Sequence, residues 1–97
     1  MKLTKEQSAV ALTAVSYIDS NHKLRTFPPV QLKDAGLLAH ELREKCTEKL
    51  ENEQFAFKEG EVELTTSQKA LLIHCLEREW TAFDGLVVVE LKTLLEA

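Results

Sequence analysis

The residues best equipped for chemistry gather in a short basic segment. His22, Lys23, Arg25 and Lys33 fall within twelve residues that contain no acid, with Phe27 among them and Tyr17 shortly before. Cations beside aromatic rings can hold a phosphate, a nucleotide or an acidic peptide through charge-assisted bonds and ring contacts. The plainer account is that these cations neutralise the chain's own glutamates. The surrounding chain is acidic, with a net charge of −4 and a pI near 5.4. That balance argues against general nucleic-acid binding, which needs a basic face to release counterions.

Other constellations are weaker. His40 to Glu44 reads HELRE, the zinc-protease helix pattern with a glutamate where the second histidine would stand. Zinc needs three or more converging ligands, so no metal site is expected. His74 and Cys75 are adjacent, and neighbouring helical side chains diverge by about 100°. Cys46 and Cys75 lack metal-type spacing and read as reduced core thiols. No glycine-flanked serine or phosphate-cradling glycine loop is present, and the glutamates are dispersed among lysines. Neither nucleophilic nor acid–base catalysis is indicated, and no cofactor is expected.

The elements that must position these residues are mostly helical. Gln7 to Ile18 runs twelve residues without a charge in a chain that is 29% charged. At helical spacing it has a bulky face, Val10, Ala11, Ala14, Val15, Tyr17 and Ile18, and a ridge of small groups, Ala9, Thr13, Ser16 and Ser20. A surface helix needs a charged face, so this helix is expected to be buried or self-associating, with close neighbours on both sides. Thr4 and Gln7 form a T-x-x-Q capping box, and Asp19-Ser20-Asn21 should stop the helix. The basic-to-apolar start imitates a secretion signal, but Glu6, Gln7 and Ser8 interrupt it. No run reaches the ~20 apolar residues of a membrane span, and a cytoplasmic location is expected.

After Pro28-Pro29, a second helix is expected from Val30 or Gln31 to about Asn52, on the stripe Ala35, Leu38, Leu42, Cys46 and Leu50. Gly36 near its start suggests close packing or a bend. Between Gln54 and Leu64, Phe55, Phe57, Val62 and Leu64 alternate with other residues around a turn at Lys58-Glu59-Gly60-Glu61, the signal of a short hairpin or an anchored loop. Leu64-Thr65-Thr66-Ser67-Gln68 repeats the capping device and starts a third helix carrying Leu72, Leu76, Trp80 and Phe83. Asp84-Gly85 should end or bend it. In the tail from Leu86 to Leu95, Leu91, Leu94 and Leu95 favour helix over strand despite three consecutive valines.

The expected fold is a single helical domain over residues 1–97. It is mainly α, a small bundle of three to four helices with at most one short β-hairpin around residues 54–64. Two uncharged helical surfaces are more than a small monomer can readily cover, so homo-oligomerisation is expected, with Ala9, Thr13, Ser16, Ser20 and Val88 at the interface. The leading expectation is a non-catalytic adaptor, inhibitor or regulator acting through helix surfaces on itself or a protein partner. The second is a binder of a small anionic, nucleotide-like ligand at an oligomer interface, using Tyr17, His22, Lys23, Arg25, Phe27 and Lys33. No membrane association is expected.

Overall fold

A computed structural model describes all 97 residues. Four helices and two small antiparallel sheets follow one another as β1 (Lys2–Leu3), α1 (Lys5–Ser16), α2 (Pro29–Cys46), β2 (Thr47–Lys49), β3 (Phe55–Phe57), β4 (Gly60–Glu61), α3 (Thr66–Leu76) and α4 (Ala82–Glu96). The protein is mainly α, as the periodicity indicates. No helix is long and apolar enough to cross a membrane.

Both expected capping boxes form. Thr4 Oγ1 accepts the Gln7 N–H at 3.1 Å while Gln7 Oε1 accepts the Thr4 N–H at 3.0 Å. Thr65 and Gln68 repeat this at 3.1 and 2.9 Å. Each box satisfies two donors that a helix start leaves unpaired.

Helix α1, uncharged after Lys5 and Glu6 in its first turn, is the central helix. It packs against α2, α3 and α4, which explains why Val10, Ala11, Ala14 and Val15 are buried and why no face of it needs charge. Ala35, Leu38, Leu42 and Cys46 of α2, Leu71, Leu72, Cys75 and Leu76 of α3, and Leu91 and Leu95 of α4 complete the core. Of the expected α2 stripe, Leu50 alone is outside it.

Several element boundaries differ from expectation. Helix α1 stops at Ser16, earlier than Asp19. Tyr17 bridges Leu24, and the Arg25 N–H donates to the Ser16 carbonyl at 3.0 Å, so a returning segment takes over the end of the helix. Asp19 still directs the loop, its Oδ1 accepting the Asn21 N–H at 2.9 Å, and His22 adopts a left-handed φ of 58°. Helix α2 stops at Cys46 instead of about Asn52. Thr47 to Lys49 leave it to pair with Phe55 to Phe57, in register Thr47↔Phe57 and Lys49↔Phe55, around a turn in which Glu53 has a φ of 65°.

Strands therefore form within 54–64, but they do not pair with each other. β3 joins β2, while β4 joins β1 in register Leu3↔Gly60. That second sheet buries Leu3 and Val62 completely. Gly36 has open space where a side chain would lie, so no close packing depends on it.

The third expected helix is two. Helix α3 ends at Leu76, whose carbonyl accepts the Trp80 indole N–H at 3.0 Å. Thr81 then stands at the N-cap position of α4, where its hydroxyl donates to Asp84 Oδ2 at 3.1 Å and makes no bond to the helix backbone. Asp84-Gly85 lies in the first turn of α4 instead of ending a helix. Phe83, assigned to the core stripe, is 97% exposed. The tail is helical.

Candidate functional site

Three surface features have the shape or chemistry for recognition. The first is a cleft of about 540 Å³ where the end of α1 meets the connector between α3 and α4. Tyr17, His22 and Trp80 form its aromatic parts, and Thr13 and Ser20 of the small-residue ridge also line it. Tyr17 and His22 meet edge-on, with ring centroids 5.1 Å apart. Arg78 lies over the Trp80 ring, 4.5 Å from its centroid, and its Nη1 donates to the Tyr17 carbonyl at 3.1 Å. Asp19, Glu79 and Asp84 bring three carboxylates to the same cleft.

The basic segment does not converge on this or any other site. Arg25 turns inward, where Nε donates to the Ala14 carbonyl at 3.0 Å and Nη2 to the Cys75 carbonyl at 3.3 Å. These two bonds tie the ends of α1 and α3 together and supply partners for carbonyls there. Phe27 is half-buried against the core, while Lys23 and Lys33 are exposed. Of the six residues proposed for an anion, Tyr17 and His22 line the cleft together, and the others lie elsewhere. Arg78, Glu79, Trp80 and Asp84 join the site although no sequence pattern marks them for it. Thr81-x-x-Asp84 is itself a capping signature, and it could have shown that a helix starts there.

The second feature is an apolar groove of about 370 Å³, in which Leu12 of α1 and Phe55 and Phe57 of β3 meet the polar side of α2. On its rim His40 Nε2 and Glu44 Oε2 are 2.8 Å apart, both exposed. His40, Arg43 and Glu44 of the HELRE segment thus form a solvated helix face with an i,i+4 contact, while Leu42 faces the core. No three His, Cys, Asp or Glu side chains cluster as a metal site would require.

The third feature is the outward side of α4. Ala82, Leu86, Val89 and Thr93 follow one another along it at i, i+4, i+7 and i+11, all exposed, with Phe83 alongside. Leu86 is 70% and Val89 61% exposed. Glu90 is the one charged side chain before the last turn of this side. Of the residues expected at an interface, Ala9, Thr13 and Ser16 are half-buried, Ser20 is exposed at the cleft, and Val88 faces the core. The exposed positions are its neighbours Leu86 and Val89.

Both thiols are free and buried. Burial pushes the Cys75 thiol above its ordinary value of 9.0, and the nearby Arg25 offsets part of that rise. Cys75 accordingly stays protonated and unreactive near neutrality. Because its folded-state value is raised, the stability it contributes is complete below pH 9 and is lost as pH climbs from there through the folded value. Chemical denaturation between pH 8 and 10.5 should therefore show stability falling less steeply in Cys75→Ala than in the unmodified protein. Parallel slopes would contradict a protected thiol.

Comparisons with protein-family models, with curated proteins and with solved structures find no match for this chain.

Proposed function

We propose that this is a non-catalytic interaction protein that self-associates through the outward side of α4 and works as a small adaptor or regulator. The observation that carries the reading is the exposure of Phe83, Leu86 and Val89 on one helix, with Glu90 the charged side chain beside them and Asp84 turned to the cleft. A helix whose inner side already fills the core has no folding reason to be apolar outside as well. Leu86 and Val89 lie at the spacing that packs one helix ridge against another. A two-fold contact between antiparallel α4 helices would set these residues against their own copies, as closed dimers require.

Burying the three large side chains removes apolar area from water at about 25 cal/mol per Å². One helix per copy is a small interface, so association in the micromolar range is expected. The protonated, enclosed Cys75 supports a non-catalytic role, since the chain's buried thiols are not available as nucleophiles. Arg25 supports the same preference over anion binding, because its guanidinium is engaged with two carbonyls inside the fold.

Leu86→Lys with Val89→Lys tests the reading. Both sites are exposed in the single chain, so monomer stability should stay within about 0.5 kcal/mol. Self-association should weaken about 100-fold or more, because four lysines per dimer would have to enter the contact. Light scattering that reports the same mass for variant and unmodified protein would remove α4 from the interface.

A further inference from the structure

The cleft between the end of α1 and the α3–α4 connector has a composition that self-association does not use. It holds three carboxylates, Asp19, Glu79 and Asp84, and none of them forms an ion pair with a cation of the chain. Asp84 Oδ2 meets only the Thr81 hydroxyl, and Asp19 Oδ1 only backbone N–H groups. The carbonyl end of α1 adds its negative pole at Tyr17. The one cation present, Arg78, is oriented by the Tyr17 and Glu79 carbonyls and by the Trp80 ring.

We infer that this cleft is a docking site for a basic peptide segment, taking an arginine or lysine side chain between the carboxylates and the aromatic residues Tyr17 and Trp80. The fit rests on three properties. The volume of about 540 Å³ is ample for a long side chain and its flanking backbone. Carboxylates without a cationic partner, set on separate elements, offer an arriving guanidinium or ammonium charge-assisted bonds from several directions. Arg78 on Trp80 shows that a guanidinium rests favourably against the cleft's aromatic surface. An anion would meet three like charges. Arginine is favoured over lysine because its planar fork can bridge two carboxylates and stack on a ring together. This inference does not rest on dimerisation through α4, and the net charge of −4 favours the same class of partner at longer range.

Trp80 is the only tryptophan, so its emission reports this cleft alone. The probe is a capped peptide alternating glycine and arginine, with lysine and glutamate versions beside it. At low ionic strength the arginine peptide should change Trp80 emission saturably. Raising salt to about 0.2 M should weaken binding about tenfold, because the carboxylates are partly exposed. The lysine version should bind more weakly and the glutamate version should not bind. Asp19→Asn, Glu79→Gln and Asp84→Asn together keep the shape and one acceptor oxygen each while removing the charge, and should reduce affinity for the arginine peptide about tenfold or more. No response to the arginine peptide, an equal response in the triple variant, or a preference for the glutamate peptide would each overturn the inference. Repeating the titration on the Leu86→Lys, Val89→Lys protein separates this result from self-association, since saturable binding of the arginine peptide should persist there, weakened only by the two added charges.

Discussion

Gly60→Ala should lower the melting temperature by roughly 15 °C, the equivalent of about 3 kcal/mol in a chain of this size. A Cβ at Gly60 would be driven into the Lys45 carbonyl in the last turn of α2 and would stand 3.0 Å from the buried Cys46 sulfur. The obstacle is mostly backbone, which cannot rotate aside as a side chain can. Relief would require β4 to lift away from α2. Because β4 pairs with β1, lifting would also disturb Leu3, the partner of Gly60, and Val62 next to β4, both wholly buried. The control is Gly36→Ala, where the new methyl meets open space inside a helix and should be neutral or stabilise by up to about 1 kcal/mol. A thermal melt of the two variants decides the matter. Equal melting temperatures would contradict the close approach of β4 to α2.

Arg25→Ala should destabilise the fold by about 2 kcal/mol, while Lys23→Ala, two residues away on the exposed side of the loop, should change it by less than about 0.5 kcal/mol. The asymmetry follows from what the two cations touch. Arg25 reaches one carbonyl in α1 and another in α3, so its removal leaves both with fewer donors and loosens the seam between those helices. Arg25→Lys should restore little of the loss, because a single ammonium cannot reproduce a fork that spans two acceptors. Urea denaturation of the three variants measures this directly. Full stability in Arg25→Ala would return that side chain to the surface and to the reach of an external ligand.

The two arginines also show where sequence reading reaches its limit. Arg25 sits in an acid-free segment, and its neighbours make it look like part of an anion site. Its actual partners lie 11 and 50 residues away and are backbone carbonyls, which side-chain patterns do not reveal. Arg78 likewise bonds the Tyr17 carbonyl, 61 residues away. Local signals are different. The capping boxes at Thr4 and Thr65 depend on residues three apart, and both form as read. The buried central helix was legible because twelve consecutive uncharged residues leave no solvated face.

The errors of extent share a physical cause. Thr47 to Lys49 lie in a polar, helix-compatible stretch, which predicts that α2 continues through them. Their pairing with Phe55 to Phe57 is a tertiary choice that overrides weak helix propensity. The break between α3 and α4 contains neither proline nor glycine, and it is held by the Trp80 and Arg78 side chains. Its one local mark is Thr81-x-x-Asp84, which the apolar stripe from Leu72 to Phe83 obscured. Moving the start of α4 to Ala82 changes which tail residues face outward. Val88 then belongs to the inner side, and Leu86 and Val89 to the outer one.

Sedimentation equilibrium of the unmodified protein tests self-association through α4 most directly. Across concentrations from about 1 to 200 μM, a micromolar dimer should move from near one 11.0 kDa chain toward twice that mass. A mass that remains at 11.0 kDa throughout would contradict the account, and the apolar side of α4 would then have to be explained without a second copy.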